Sequence, residues 1–373
     1  MLYITYCDLG NIGFWGIKKK VLAQAKAFRK VFGRVYYTYF AWQMAYLMDG
    51  EQVIEKKETV TRKEYNQVLC HWAEKYGIKK TYIRYPFADK WFMELLAFQK
   101  AHRIKTVVEI PTYPYDREYP YGRLKVEDAY YREKLKEYVD LIATYSYDKE
   151  IWGIKCVSLF NGIDMEENRM AGKVKQEKEI VLIAVSSMAF WNGYERLIEG
   201  MRIYYSKTAP VMIRLKLVGE GPEENYYRKL SEKYQLQEYI EFCGKLQGEK
   251  LDDAYDQSDI AISSLGAYKK GMQNGCPLKG GEYCARGLPM VCGYEDMRFS
   301  DQLPFIWKVP NNEEPIDLYG IINFYNNISA KKGYKEYMRE YAKKHLAWES
   351  IMYPVMDYLY ITDEKIGEAK WTY

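Results

Sequence analysis

The amino-acid sequence predicts an α/β protein made of two Rossmann-like lobes, each built on a parallel sheet. Its 373 residues exceed what one compact core normally holds and suit two domains of this kind. Short apolar runs alternate with amphipathic stretches, which is typical of parallel strands covered by helices on both faces. A polar stretch at residues 165–179, rich in Lys, Glu and Gln, separates two such series, and we interpret it as a linker.

The two series predict their elements in order. In the first, strands are expected at residues 2–6, 34–40, 80–85, 106–109, 141–144 and 156–159, with helices at 17–31 and 90–102. In the second, strands are expected at 180–185, 212–218, 239–242, 260–263 and 289–292, with helices at 195–205, 223–234 and within 280–286, and the tail from 316 is expected to be helical in three pieces. The predicted domains are residues 1–164, together with a last helix at about 348–373, and residues 165–347.

Charge and cysteine content restrict the class of protein. The 55 basic and 51 acidic residues nearly balance, which argues against nucleic acid as a partner. A charge of +4 suits a phosphate ligand, an anionic membrane surface or an ordinary mixed surface. Seven scattered cysteines without a C-x-x-C pair indicate a reducing compartment, so we expect a cytoplasmic protein. No signal peptide and no apolar run of about 20 residues is evident, so any membrane contact is expected to be peripheral.

A glycine-rich loop follows the first predicted strand and leads into a helix. Gly13 and Gly16 are candidates for contact with an acceptor or a phosphate, because backbone N–H groups at a helix N-terminus favour anions. The spacing of Gly10, Gly13 and Gly16 is not G-x-G-x-x-G, and no acidic residue ends a second strand about 20 residues later, which argues against a dinucleotide-dependent dehydrogenase. The alternative is a tight strand-to-helix turn.

Two stretches in the second series, residues 263–271 and 277–289, carry the strongest indication of chemistry. Lys269 and Lys270 lie in a loop after a strand, and Lys279 and Glu282 begin a short helix. A diphosphate requires positive charge and free N–H groups at a helix N-terminus, and a ribose diol requires a carboxylate. These residues supply both. The alternative is solvated lysines and a helix-capping glutamate.

The stretch from Lys279 to Pro289 resembles the donor-binding segment of retaining glycosyltransferases of the GT-B fold, family 4, in which K-x-x-E-Y-x-A-x-G-x-P recurs. Residues 161–164 (NGID), 190–198 (FWNGYERLI) and 217–222 (LVGEGP) resemble other segments of that family in the same order. The resemblance covers residues 160–300 well and the first lobe more loosely. It implies two lobes that face each other across a cleft, with a final helix, starting at Trp348, that crosses back to the N-terminal lobe.

The resemblance also implies roles for individual residues. Glu282 would hold the ribose, and Lys279 would face the diphosphate and take part in catalysis. The other donor-binding candidates are the glycines beside the phosphates, the lysines of the loop, and the glycines beside the base: Gly280, Gly281, Lys269, Lys270, Gly219 and Gly244. Two positions depart from the family: Asn274 stands where a glutamate often contacts the donor sugar, and Asn192 where a lysine often contacts phosphate.

The first lobe would bind the acceptor. Arg84 and Glu109 end adjacent predicted strands, and we expect both to point into the cleft as catalytic candidates beside Lys279. We assign no catalytic histidine, because His71, His102 and His345 are each interpreted as helix residues outside the cleft. The leaving diphosphate can be stabilised electrostatically and accept the proton itself, so no protein base is required. We expect no metal and no cofactor, because the nucleotide sugar is a substrate and Asp252-Asp253 lies at a predicted helix start, where caps are common.

The implied function is retaining transfer of a hexose or related sugar from a nucleotide-sugar donor to a glycan or glycolipid, in cell-envelope or exopolysaccharide synthesis. The expected partners are that donor, a glycan or lipid-linked acceptor and the inner face of the membrane. Two alternatives stay open: a sugar-nucleotide epimerase of the same fold, and a non-catalytic partner subunit that binds nucleotide sugars, suggested by Asn274 and Asn192.

Overall fold

The computed structural model describes residues 1–116, 122–172, 179–300 and 302–360. The chain forms two compact units: unit 1 is Met1–Phe160 with Trp348–Tyr373, and unit 2 is Asn161–Ala347. The predicted domain boundary lies four residues later, after Asp164. The segment between joins unit 2 because the Ile163 N–H donates to the Leu346 carbonyl at 2.9 Å and Ile163 forms a parallel bridge with Ala347.

The elements are numbered in chain order. As far as Phe160 they are β1 (Leu2–Ile4), α1 (Trp15–Phe32), β2 (Tyr36–Ala41), β3 (Met44–Asp49), β4 (Gln52–Glu58), α2 (Arg62–Lys75), β5 (Lys80–Arg84), α3 (Lys90–Ala101), β6 (Lys105–Ile110), α4 (Arg123–Arg132), β7 (Leu141–Thr144), β8 (Glu150–Ile151) and β9 (Ile154–Ser158). Unit 2 contains β10 (Glu179–Val185), α5 (Tyr194–Tyr205), β11 (Met212–Val218), α6 (Glu224–Lys233), β12 (Ile240–Gly244), α7 (Glu249–Asp256), β13 (Ile260–Ile262), β14 (Asn274–Gly275), α8 (Leu278–Arg286), β15 (Met290–Cys292), β16 (Glu295–Asp296), β17 (Ile306–Lys308), α9 (Leu318–Ser329) and α10 (Tyr334–His345). Unit 1 ends with α11 (Trp348–Ile351) and α12 (Tyr353–Tyr360).

The sheet of unit 1 has a parallel centre and antiparallel edges. Its order is β4-β3-β2-β1-β5-β6-β7-β9-β8, with β3, β4 and β8 antiparallel to their neighbours. Strands β3 and β4 were not predicted from the sequence. The turn between β2 and β3 is Trp42-Gln43, with φ of 52° and 57°, instead of the Asn-Gly or Asp-Gly pair that usually marks such a hairpin. β4 lies at the exposed edge, where charged residues replace an apolar alternation.

The six-stranded sheet of unit 2 is wholly parallel, in the order β12-β11-β10-β13-β15-β17. Counted along the chain this is 3-2-1-4-5-6, the doubly wound Rossmann order, and it confirms the predicted fold class. The order reverses between β10 and β13. Ligands of such sheets bind beside the carboxyl ends of the strands at this point.

The last helices belong to unit 1, as the family resemblance implies. Trp348, Met352 and Val355 are buried in one core with Val21 and Phe28 of α1. Residues 361–373 of the predicted final helix lie outside the described residues.

The segment predicted as a linker is in part a packed piece of unit 2. Arg339 of α10 donates to the carbonyls of Met165 at 2.9 Å and Asn168 at 2.5 Å, and Ala171 is buried. Its low apolar content misled the prediction, because hydrogen bonds to its backbone carbonyls and ion pairs of Arg169 with Asp252 and Asp256 anchor it. Residues 173–178 of that segment lie outside the described residues.

Candidate functional site

The carboxyl ends of β11 and β12 bring two of the predicted glycines together. The Gly219 N–H donates to the Gly244 carbonyl at 2.8 Å. Gly219 has φ of 120°, and a Cβ there would lie 1.9 Å from the Ser186 carbonyl oxygen of the loop after β10. No other residue fits this close approach, so the glycine serves the packing of the strand ends as well as any ligand.

At the switch point, the loops that follow β10 and β13 are in contact. The Leu265 N–H donates to the Asn192 carbonyl at 2.8 Å, and a Cβ on Gly193 would lie 2.5 Å from the backbone N of Gly266. Asn192 itself is buried, and its Oδ1 accepts the Ala189 N–H at 3.2 Å. The residue that stands in place of the family's lysine therefore stabilises its own loop.

Helix α8 is held over this switch point by Tyr283. The Tyr283 hydroxyl accepts the Val185 N–H at 3.1 Å and donates to the Ile262 carbonyl at 3.3 Å, so it contacts the last residues of β10 and β13. Lys279 lies one turn before Tyr283 on the same side of the helix, and Glu282 is three residues from Lys279. Lys279 thus lies in the first turn of α8 on the side of Tyr283, which contacts the strand ends, and Glu282 lies on the following turn.

Lys279 is a half-buried cation without an acidic partner among the residues described. Its Nζ lies 5.9 Å from the centroid of the buried Tyr194 ring. Although part of the side chain reaches solvent, the protein atoms around the ammonium desolvate it, and this burial lowers the pKa of Lys279 to about 8. An unpaired, poorly hydrated cation is stabilised by an anionic ligand.

The other two lysines of the predicted phosphate group are placed differently. Lys269 pairs with Glu195 of α5, with 2.5 Å between Nζ and Oε1, so its charge is already compensated. Lys270 is exposed, and its Nζ lies 3.5 Å from the centroid of the Trp191 ring. The structure therefore does not place Lys269 and Lys270 beside Lys279 as equivalent positive charges for a phosphate ligand.

Gly280 and Gly281 are buried, and close packing explains both. A Cβ on Gly281 would lie 2.8 Å from Cγ2 of Ile163, and one on Gly280 would lie 3.0 Å from Oδ2 of Asp296. The Gly280 N–H donates to the Pro277 carbonyl at 3.3 Å. The predicted contact of the backbone near Gly280-Gly281 with phosphate stays a prediction.

A buried ion pair, which the residue pattern did not predict, lies beneath these glycines. Arg298 pairs with Asp296 through two bonds, of 2.9 Å from Nε and 2.7 Å from Nη2. It also donates to the carbonyls of Pro277 at 2.6 Å and Asn161 at 3.3 Å. Arg298 thus connects the start of unit 2, the cap of α8 and the strand β16. An Asp-x-Arg spacing carries no signal that would have identified it.

Asn274 and Glu282 differ in exposure. Asn274 is exposed on β14, where it pairs with Glu295 of β16. Glu282 is half-buried and close to Tyr255. The pKa of the Tyr255 phenol is raised, mainly by burial and in addition by the negative charge of Glu282. Of the two predicted donor contacts, only Glu282 shares the helix that carries Lys279.

In unit 1, Glu109 is a buried counter-ion, which corrects the prediction that it points into a cleft. It is 0% exposed, and its Oε1 lies 2.9 Å from Arg84 Nη1 and 3.1 Å from Lys20 Nζ, while the Tyr3 hydroxyl donates to Oε2 at 3.2 Å. Burial by itself would raise its pKa, but Lys20 and Arg84 hold the pKa of Glu109 below its usual value. A carboxylate committed to two internal cations is unsuited to act as a base.

Arg84, by contrast, lines an open cavity at the carboxyl ends of β1, β5 and β6. The cavity has a volume of about 840 Å³. Its walls are mainly aromatic and aliphatic, and its charged lining residues are Arg84, Arg62 and Asp8. Glu109 is not among the lining residues.

The predicted phosphate loop at Gly13 and Gly16 is not supported. The Gly13 N–H donates to Asn11 Oδ1 at 2.8 Å, and the Gly10 N–H donates to Asp8 Oδ1 at 3.0 Å, so side chains of the loop already occupy these donors. Gly16 is exposed in the first turn of α1 with nothing near its Cα that a Cβ would touch. These observations favour the alternative of a strand-to-helix turn.

The described ranges contain neither a candidate metal site nor a candidate membrane span. No group of three or more His, Cys, Asp or Glu side chains there is arranged to hold a metal ion. None of the helices in the same ranges has the length and apolar character needed to span a bilayer.

Known proteins resemble this chain in both sequence and fold. Residues 165–298, all in unit 2, match the family model Glycosyl transferases group 1. An Escherichia coli (strain K12) protein, "Putative colanic acid biosynthesis glycosyltransferase WcaL", is 26% identical over 156 residues. That match spans 41% of this chain and 37% of the relative, so the chain covers little more than a third of the relative's length.

Similar solved structures cover nearly the whole chain. A glycosyltransferase from Rickettsia africae ESF-5 aligns with a TM-score of 0.63 at 14% identity, over 97% of this chain and 98% of that one. Anabaena Alr3699/HepE in complex with UDP and glucose aligns with a TM-score of 0.55 at 13% identity, over 96% and 98%. Sucrose-phosphate synthase from Thermosynechococcus elongatus aligns with a TM-score of 0.54 at 14% identity, over 96% of this chain and 98% of that one. At these identities the likeness is one of fold, the GT-B type with two Rossmann-like lobes.

Proposed function

We propose that this protein is a glycosyltransferase that binds a nucleotide-sugar donor in unit 2 and transfers the sugar, with retention, to a glycan or lipid-linked acceptor. One observation carries the proposal: the ammonium of Lys279, which has no acidic partner in the part of the chain that the structure describes, lies in the first turn of α8, over the switch point of a Rossmann sheet. The same segment falls within the match to Glycosyl transferases group 1. Diphosphates bind where positive charge and a helix N-terminus meet.

Different residues of unit 2 contact different parts of the donor. Lys279 contacts the diphosphate and stabilises its charge as the sugar leaves, which is the usual source of rate enhancement in such transfers. Glu282, on the next turn, accepts hydrogen bonds from the ribose hydroxyls. Gly219 and Gly244 line the base at the ends of β11 and β12. The leaving diphosphate takes the acceptor's proton, so this scheme uses no metal and no histidine.

The biological setting is proposed by analogy. The Escherichia coli relative is named for colanic acid biosynthesis, which supports a hexosyltransferase of cell-envelope or exopolysaccharide synthesis acting in the cytoplasm. Anabaena Alr3699/HepE was crystallised with UDP-glucose, which supports a nucleotide-hexose donor.

Lys279→Ala and Glu282→Ala are each expected to weaken nucleoside diphosphate binding by about 1.5–3 kcal/mol, because charge-assisted hydrogen bonds of that strength are lost. Isothermal titration calorimetry with a panel of nucleoside diphosphates measures this. Lys233→Ala and Glu232→Ala, exposed on α6, are the matched controls and should leave affinity unchanged. Wild-type affinity in both site variants would contradict the assignment.

The acidity of Lys279 provides a second readout of the same contact. Its pKa of about 8 means that the ammonium is charged at pH 7 and loses its proton as the pH rises through 8. Nucleotide affinity is therefore expected to fall between pH 7 and pH 9 in the wild type and to stay nearly level in Lys279→Arg, whose guanidinium keeps its charge. Identical pH profiles for the two proteins would remove Lys279 from the diphosphate site.

The proposal includes peripheral contact with the cytoplasmic face of the membrane. Trp42 is 83% exposed at the turn between β2 and β3, and Trp15 is exposed with Nζ of Lys18 and Lys19 at 5.8 and 6.0 Å from its ring centroid. Tryptophan and lysine together favour the interface of anionic lipids. Sedimentation with phosphatidylglycerol vesicles checks this, and Trp42→Ala should sediment less than the wild type.

The two alternative functions are distinguished by their products. An epimerase requires a carboxylate free to exchange protons, and the burial of Glu109 between Lys20 and Arg84 argues against that role for it. Asn274 would favour a binding subunit without turnover. Product analysis with donor alone, and then with donor and acceptors, separates the three: an epimerised donor supports the epimerase, and no product in either case supports the binding subunit.

A further inference from the structure

The charges of Lys20, Arg84 and Glu109 in unit 1 do not balance. All three side chains are buried or nearly so, with exposed fractions of 16%, 11% and 0%. In the described part of the chain, Glu109 is the carboxylate that pairs with either cation. Two cations and one anion leave one positive charge without a carboxylate partner among the described residues, in a place where an unpaired charge is costly. The Lys20 ammonium also lies 3.5 Å from the centroid of the Tyr145 ring.

Arg84 is the member of this cluster that reaches a ligand-accessible space. Only Nη1 of its guanidinium bonds to Glu109, at 2.9 Å, and the side chain lines the 840 Å³ cavity. Among the described residues, its other N–H groups have no acceptor. Arg62, also in the lining, is engaged elsewhere: Nη2 donates to the Phe87 carbonyl at 2.6 Å, and Nε lies 3.3 Å from Asp89 Oδ2 as an ion pair without a hydrogen bond.

The four tyrosines that line the cavity use their hydroxyls within the protein; Tyr6 and Tyr85 are half-buried, whereas Tyr65 and Tyr115 are almost fully buried. All four hydroxyls are bonded to protein groups behind the wall. The bonds run from Tyr6 to Asn66 Oδ1 (2.7 Å), from Tyr65 to the Thr5 carbonyl (2.8 Å), from Tyr85 to Asp128 Oδ1 (2.6 Å) and from Tyr115 to Asp128 Oδ2 (2.7 Å). Aromatic faces of this kind pack against the C–H faces of sugar rings.

We propose that this cavity binds an acidic saccharide, with the free N–H groups of Arg84 on its carboxylate or phosphate and the tyrosine rings against its sugar. The inference rests on the proposed function, in which this ligand is the acceptor. Arg84 forms a planar fork that matches both kinds of anion. Asp8, the carboxylate in the lining, accepts the Gly10 N–H and forms no ion pair with Arg84 in the described ranges, so it does not occupy this fork.

The test uses the full chain and three probes in calorimetry or saturation-transfer NMR: methyl β-D-glucuronide, glucose 6-phosphate and methyl β-D-glucoside. At least one acidic probe is expected to bind about 10-fold more tightly than the neutral glucoside, as for a charge-assisted contact. The stronger of the two acids identifies the carboxylate or the phosphate as the recognised group. Arg84→Gln should remove the preference, and Arg84→Lys should keep part of it.

Lys279→Ala separates this inference from the proposed function. In Lys279→Ala, the affinity for the acidic probe should persist while the affinity for the nucleotide falls. In Arg84→Gln, the preference for the acidic probe should be lost while the affinity for the nucleotide persists. Arg84→Gln leaves Glu109 paired with Lys20, so we expect it to fold, and its melting temperature is checked first. Equal binding of all three probes, no acidic-probe binding at millimolar concentration, or a preference that survives Arg84→Gln or disappears in Lys279→Ala would each overturn the proposal.

Discussion

Arg298→Met is expected to destabilise unit 2 by about 3–5 kcal/mol, the cost of breaking a buried ion pair by removing one partner. The Arg298 side chain is 1% exposed and that of Asp296 is 5% exposed, so the remaining carboxylate would stay buried without its cation. The carbonyls of Pro277 and Asn161 would lose a donor as well. Urea titration gives the free energy of unfolding, and hydrogen exchange of the α8 amides shows whether the loss is located at this helix.

Two further variants identify the source of that loss. Arg228→Met removes an exposed partner of Glu224 on α6 and should change stability by less than about 0.5 kcal/mol. Adding Asp296→Leu to Arg298→Met should recover part of the loss, since apolar replacement of a whole buried pair is often tolerated. If Arg298→Met unfolds at the same urea concentration as Arg228→Met, Arg298 does not hold α8.

Glu109→Gln is expected to destabilise unit 1 by about 3–5 kcal/mol, because it leaves Lys20 and Arg84 buried together without their counter-ion. Thermal or urea unfolding measures the change. Glu51→Gln, at an exposed turn of the same unit, is the control and should be nearly neutral. A catalytic Glu109 would instead give a stable protein that lacks turnover, so wild-type stability with lost activity would contradict the structural role.

The loss of stability in Glu109→Gln should also depend on pH. Burial lowers the pKa of Lys20 to about 8 even with Glu109 beside it, and removing Glu109 lowers it further. A lysine whose pKa is lower in the folded protein takes up a proton on unfolding, so stability rises with pH above its folded pKa. The deficit of the variant should therefore be largest near pH 6 and smaller near pH 9. A deficit that is constant over this range would exclude Lys20 as its source.

The secondary structure of unit 2 was predictable because its signals are local. Strand β11 matches the predicted residues, and helix α8 ends at Arg286 with Gly287, which has φ of 72°, as its C-terminal cap before Pro289, as predicted. Strands β3 and β4 of unit 1 were not predictable in the same way. Their hairpin turns on Trp42-Gln43, a pair with no turn preference of its own, and their pairing with β2 depends on contacts that a residue pattern does not carry.

The sequence by itself determined the class of fold and the segment that carries Lys279 and Glu282, because periodicity and the order of motifs are properties of neighbouring residues. Only the tertiary structure decided which charges are available to a ligand. Lys269 pairs with Glu195 and Glu109 with Lys20 and Arg84, whereas Lys279 has no such partner in the described ranges. A charge is compensated or left unpaired by residues far away in the chain, and burial then decides its cost, so residue type alone cannot distinguish these lysines.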